Sequence, residues 1–340
     1  MRRGIQGGFG LLLTVLLLFQ GSSFGARILI PMDDGQKNHL KAYGLTYWVL
    51  QNGRKAEWLL NYRGGSFSLP YQDAIEKECK VRGVSYKVLA NAQYQNTLSK
   101  INQPDANMDN VELKKAPEIA VYSPKSAKPW DDAVTLALTY AEIPYDVVYD
   151  GEVMENKLSE YDWLHLHHED FTGQFGKFWA HYRNADWYKQ EVKEDRNLAA
   201  QWGFDKVSEL KLAVSKKIRD YVLGGGYLFA MCSAPDTYDI ALAAEDVDIC
   251  KPMFDGDGMD ANATKQLDFT NTFAFKDFDL VKSPYRYEYS SIDGTNDHKK
   301  IDKEEDFFKL FKFSAKWDPV PTMLCQNHER LIHGFYGQTT

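Results

Sequence analysis

The stretch "SELKLAVSKKIRDYVLGGGYLFAMCSA", Ser208 to Ala234, carries the most structural information in the chain. Leu210, Val214, Ile218 and Val222 recur every four residues, the spacing of an apolar stripe along an α-helix. Gly224, Gly225 and Gly226 end that helix. "YLFAMCSA" then reads as a buried-type strand, and "DTYDIALAA" opens another helix. Helix, strand and helix joined by short turns are the unit of a parallel sheet with helices on both faces.

The same alternation extends upstream. "EIAVYSP" reads as a strand and "WDDAVTLALTYAEI" as a helix, with Asp131 and Asp132 at its positive N-terminus and Pro144 at its end. "YDVVYDG" and "YDWLHLHH" supply two further strands. Before them, "RILIPMDD", "KAEWLLNYRGG" and "VSYKVLANA" alternate with "GQKNHLKAYGLTYWVLQNG" and "PYQDAIEKECKVRG", so residues 26–116 form a first βαβ unit. "NTLSKINQPDANMDNVELKKAP" is polar and contains two prolines, and reads as a linker or a partly ordered connection near residues 96–117. Residues 117–340 make the second domain. Residues 171–205 are an aromatic insertion within it, and residues 265–340 a small β extension with strands at "TFAFKDFDLV", "YRYEYSSI" and "FFKLFKFSA". The fold class is α/β of the flavodoxin-like kind.

The chain has 340 residues, enough for two domains with cores of their own. Apolar residues at 44% and charged residues at 26% are those of a folded protein. The first residues, "MRRGIQGGFGLLLTVLLLFQGSSFGA", give a basic start, an apolar run too short to span a bilayer comfortably, and small residues where a signal peptidase cuts. Residues 1–25 read as a cleaved signal peptide, and the mature protein as periplasmic or secreted, without stable membrane insertion. Removing them takes away two arginines and no acid, which moves the formal charge from −8 to −10 and argues against nucleic acid as a partner. Cys79, Cys232, Cys250 and Cys325 are spaced neither as a zinc motif nor as a compact disulfide framework, and their pairing is open.

In open α/β sheets ligands bind at the carboxyl ends of the strands. Cys232 sits at such an end, with Ala230 and Ala234 two residues to either side. A tight strand-to-helix turn admits only small residues there and lifts a nucleophile to the helix N-terminus, where backbone N–H groups near Ser233 can hold an oxyanion. The alternative is a structural cysteine packed at a strand end. In "YDWLHLHH", alternation puts Trp163, His165 and His167 on one face and Leu164, Leu166 and His168 on the other. His165 is then a core histidine. His167, His168, Glu169 and Asp170 form the rim, with His168 or Glu169 available to orient or deprotonate a thiol. His167 and His168 are adjacent and point apart, so they make a poor metal pair, and no metal or cofactor is expected. Asp33, Asp34, Ser123 and Lys125 are further candidates by their place at strand ends. "DGDGMD" begins like a calcium loop, but Met259 falls where an oxygen ligand is needed. Asn262 opens a formal glycosylation sequon. The rings Phe171, Phe175, Phe178, Trp179, Tyr182, Trp187 and Tyr188 either cover the edge and stack on a sugar or build a secondary core.

From residue 117 to about 245, "EIAVYSP", "YDWLHLHHED" and "GGGYLFAMCSA" resemble the class I glutamine amidotransferase-like fold, in its ThuA-like branch. Over nearly the whole chain, "LIPMDDGQKNHLKAYGLTYWVLQNG", "WLLNYRGGSFSLPY", "PWDDAVTLALTYAEIPYD", "DWLHLHHEDFTGQ" and "FSAKWDPVPTMLCQNHE" resemble exported proteins, chiefly of Bacteroidetes, often called asparagine synthetase B. That name implies a cysteine directly after the initiator Met and an SGGxDS-like ATP loop. Here residue 2 is Arg and no such loop occurs. The amidotransferase resemblance implies a Cys nucleophile and a later catalytic His with a nearby Glu; His328-Glu329 and His333 lack the His-x-Glu spacing. Two functions are therefore expected in competition. One is a Cys-dependent hydrolase of amide or related bonds, with Cys232, His168 and Glu169 catalytic. The other is a non-catalytic protein holding a small-molecule, carbohydrate, peptide or protein partner with Ser233, His167, Asp170, Asp33, Asp34 and Ser123.

Overall fold

The computed structural model describes residues 26–124 and 133–293, together with two short strands near the C-terminus. The expected signal peptide, Lys125 and Cys325 lie outside the described residues. The class is α/β, as the alternation implies, and two sheets carry it.

The first sheet corrects the expected parallel βαβ unit. Its strands are β1 (Arg27–Ile30), β2 (Ala56–Leu60), β3 (Ser66–Pro70), β4 (Lys87–Leu89) and β5 (Asp109–Leu113), in the order β4-β1-β3-β2-β5. Every neighbouring pair is antiparallel. Helix α1 (His39–Gln51) does carry the chain from β1 to a co-directional β2, but β3 lies between them. The glycines after β2 end no unit. Asn61, Arg63, Gly64 and Gly65 all take positive φ and fold a hairpin that returns β3 beside β2. Gly64 is required there, because a Cβ would stand 2.5 Å from the Met32 carbonyl oxygen. From β3, helix α2 (Asp73–Val81) leads to β4, and helix α3 (Asn91–Ile101) to β5. The polar stretch read as a linker therefore contains most of a helix and an edge strand.

The second sheet is parallel, as expected: β6 (Ile119–Tyr122), β7 (Asp146–Val148), β8 (Trp163–Leu166) and β9 (Tyr227–Ala230), ordered β7-β6-β8-β9. One face bears Ala120, Tyr122, Leu164 and Leu166 and packs on Leu210, Val214 and Ile218. These three belong to helix α8 (Val207–Leu223), so the four-residue stripe is the buried one. The other face bears Ile119 and Val121, which join Leu138 of helix α4 (Ala133–Ala141) and the core of the first sheet. Between the sheets, α1 meets α4 so closely that a Cβ on Gly44 would stand 1.7 Å from the Ala141 carbonyl oxygen.

Two further expectations change. β9 is an edge strand, and Tyr227 and Phe229 are about half exposed (53% and 52%) instead of buried. Within residues 272–293 no strand forms; a single antiparallel bridge joins Leu280 and Ser290. Beyond them, β10 (Phe307–Lys309) pairs antiparallel with β11 (Leu331–His333). Among the described residues, no helix is long and apolar enough to cross a membrane.

Candidate functional site

At the carboxyl edge of the parallel sheet, two strands and the turn after one of them deliver a buried polar cluster. β6 ends at Tyr122, β7 is followed by Tyr149, and Asp150 opens helix α5 (Asp150–Met154). Lys211 reaches them from the sheet-facing side of α8. Its Nζ donates to Tyr122 Oη (3.0 Å), Tyr149 Oη (3.0 Å) and Asp150 Oδ1 (3.1 Å), and lies 2.9 Å from Asp150 Oδ2. The Tyr122 hydroxyl donates to Asp150 Oδ1. Burial opposes the charge on Lys211, yet the Asp150 carboxylate beside it prevails and holds the ammonium well above its ordinary pKa. Every donor of that ammonium is engaged, so its role is to fix the floor of the site.

Above this floor lies a cavity of about 620 Å³. Within the aromatic insertion, the short helix α6 (Trp179–Tyr182) leads to helix α7 (Asp186–Gln201), which builds the cavity's outer wall. Phe171 and Tyr188 are buried in the core below, Phe175 is buried there and also borders the cavity, and Phe178 and the exposed Trp187 line it with Tyr149. The insertion thus contributes rings to the core and rings to the cavity wall. α7 also contributes Glu191, Glu194 and Asp195. Burial, then repulsion by Asp195, pushes the Glu191 carboxyl up to about 7. Burial pushes Asp195 up to about 6 despite the nearby Lys211, and Tyr149 Oη donates to it over 3.4 Å. Two carboxyl groups held above the ordinary carboxylate range by burial thus share one wall.

The remaining wall is the 168–178 loop. His168, Glu169 and Asp170 all line the cavity, as their place after β8 implies. Glu169 is buried, and its Oε2 accepts the His167 N–H (3.0 Å). Asp170 is a loop staple: Oδ1 accepts Thr172 N (2.7 Å) and Thr172 Oγ1 (2.6 Å), and Oδ2 accepts Gly176 N (3.0 Å). Phe175, Gly176 and Lys177 have φ of 52°, 64° and 52°, so two side-chain-bearing residues are held in the left-handed region. Such strain persists only where surroundings enforce it. Lys177 supplies the enforcement, donating to Val281 O (2.7 Å) and Glu288 O (2.6 Å), while burial lowers its pKa to about 8. Next to it, Ser290 Oγ donates to Asp236 Oδ1 (2.9 Å), and burial raises Asp236 to about 7.

Cys232 lies on the neighbouring turn, between β9 and helix α9 (Ala234–Ala243), with φ of 58° and an exposed side chain. Ser233 Oγ donates to His168 O (3.1 Å), so this turn and the 168–178 loop touch. Cys232, Ser233 and His167 are not among the residues lining the cavity, and the Ala234 N–H is spent on His167 O (3.0 Å). His168 Nδ1 faces His167 Nδ1 at 3.2 Å. His165 is fully buried and stacks on Phe229 at 5.6 Å.

Ser123 donates its backbone N–H to Val148 O (2.9 Å) at the end of β6. Asp33 and Asp34 belong to the antiparallel sheet, where the carboxyl-edge rule has no purchase. Asp33 is clamped by Arg63 (2.7 and 3.0 Å), whose hydrogen bond holds its carboxyl below the ordinary value, and Asp34 is exposed. Asp248, Cys250 and Asp255 cluster like metal ligands. Lys206 Nζ already supplies their cation, 2.6 Å from Asp248, 3.1 Å from Asp255 and 2.6 Å from Asp257. Comparison with known family models, curated proteins and solved structures finds no match to this chain.

Proposed function

We propose that this chain is an exported binding protein for a small polyhydroxylated ligand, a saccharide in the first instance, received by the cavity at the carboxyl edge of the parallel sheet. The observation carrying this reading is the lining: Phe178 and Trp187 offer aromatic surface, and Glu191, Glu194 and Asp195 offer acceptors for hydroxyls. Carboxyl groups raised to about 6 and 7 would also serve a proton-transfer step on that ligand. Titration with a panel of mono- and disaccharides, followed by tryptophan fluorescence, tests it. Binding that perturbs the wild type and not Trp187→Ala supports the reading. No response from any sugar, with the protein folded, rejects it.

A second reading, the Cys-dependent hydrolase, draws on one observation, the strained backbone of Cys232 at a strand-to-helix turn. Its measurement is the alkylation rate of Cys232 by iodoacetamide at about pH 7, compared with free cysteine. A rate no greater than that of free cysteine removes this reading.

A further inference from the structure

The charge balance of the cavity says more about its occupant than the rings do. Lys211 has its three donors committed to Tyr122, Tyr149 and Asp150, and Asp150 neutralises it. An arriving anion would find no free ammonium there. On α7, Glu191, Glu194 and the buried Asp195 line the same wall; burial first and then Asp195 raise the Glu191 carboxyl, and Asp170 adds to the field at both Glu191 and Asp195. Trp187 and Phe178 line the same space, and the face of an aromatic ring attracts a cation, as the Tyr149 ring does for Lys211 Nζ at 4.3 Å from its centroid. Carboxylates with a ring wall, and a lysine whose donors are all engaged as the one Lys or Arg among the described lining residues, are the complement of an ammonium.

We propose that the preferred ligand carries a primary ammonium, which sits between Glu191 and Asp195 against the Trp187 wall; an amino sugar satisfies both this and the saccharide reading on which it rests. Binding of the cation stabilises both carboxylates in their charged form, so complex formation near pH 6 releases protons from the protein. Sugars bearing a carboxylate are excluded by the same field.

The test is calorimetric titration of the full chain at pH 7 with glucosamine, glucose, N-acetylglucosamine, glucuronate and 1,4-diaminobutane. Glucosamine is expected to bind at least tenfold more tightly than glucose or N-acetylglucosamine. Glu191→Gln with Asp195→Asn should abolish that preference while circular dichroism and thermal midpoint report an intact fold. Equal binding of glucose and glucosamine, or tighter binding of glucuronate, overturns the ammonium proposal and leaves the saccharide reading standing. Binding of 1,4-diaminobutane without any sugar upholds the ammonium and rejects the saccharide. No binding by any of the five rejects both. A double variant that fails to fold is replaced by the single Glu191→Gln, for which the preference should fall at least threefold.

Discussion

Replacing Lys211 by Met probes the floor of the site. Lys211 and Asp150 are nearly or fully buried, with 4% and 0% of their side chains exposed, and their ion pair spans 2.9 Å. Removing one partner of a buried pair leaves the other charge unmatched in a low-dielectric interior, which costs about 3–5 kcal/mol. Two tyrosine hydroxyls also lose their neighbour, and a lost hydrogen bond adds about 1 kcal/mol. Against a total domain stability of about 5–15 kcal/mol, Lys211→Met should remove a third or more. Urea unfolding at pH 7, followed by fluorescence, measures this. The double variant Lys211→Met/Asp150→Asn supplies the control, since the neutral amide still accepts from Tyr122 and no charge is stranded. It should cost less than half of what the single variant costs. A single-variant loss below about 1 kcal/mol, or a double variant worse than the single, would refute the assignment of Lys211 as the counter-ion of a buried Asp150.

Other outcomes follow from the same geometry. Asp236 is buried with its pKa raised to about 7, so the folded state holds its proton where the unfolded state has lost it. Stability should therefore fall as pH rises from about 4 to about 7, and Asp236→Asn should flatten that fall and stabilise the protein at pH 8 by on the order of a few kcal/mol; thermal midpoints across pH decide it, and an unchanged slope contradicts it. Gly44→Ala forces a methyl onto the Ala141 carbonyl and should cost about 3 kcal/mol, whereas Gly151→Ala meets open space in a helix and should gain about 0.5 kcal/mol. Cys232→Gly relieves a left-handed φ and should raise stability by about 1 kcal/mol in chemical denaturation; a loss would show that the thiol is held by contacts.

The legible parts of this fold were those whose periodicity survives in a single strand or helix. The stripe of α8 and the alternation in β8 needed no tertiary information, and His165 fell in the core on that ground alone. Strand β3 was missed because "SFSLP" is short and rich in serine and ends in proline, and because the glycines before it look like an ending. Its direction, and hence the antiparallel sheet, depends on left-handed φ values at Asn61, a residue type that tolerates them, and at Arg63, one that gives no such signal. β5 hid in a polar stretch because an edge strand tolerates Asn110 and Glu112. β9 reads as apolar, but its place at the edge is set by topology.

The site divides the same way. His168, Glu169 and Asp170 followed from their place after β8. The same rule applied to β7 points to Tyr149 and Asp150. Lys211 carried a signal as well: it falls inside the apolar arc with Leu210, Val214 and Ile218, where a lysine needs a buried partner. Glu191 and Asp195 had none, because α7 is mostly exposed and their meeting with Lys211 is made only by helix packing.

The cavity's role is tested most directly by calorimetric titration of Trp187→Ala and Glu191→Gln with whichever saccharide gives the strongest fluorescence response in the wild type. Each variant should keep its thermal midpoint within about 2 °C and lose about fivefold or more in affinity, since stacking on one ring, or one hydrogen bond to a carboxylate, is worth on the order of 1 kcal/mol or more. Unchanged affinity in both variants would contradict the assignment of this cavity as the ligand site.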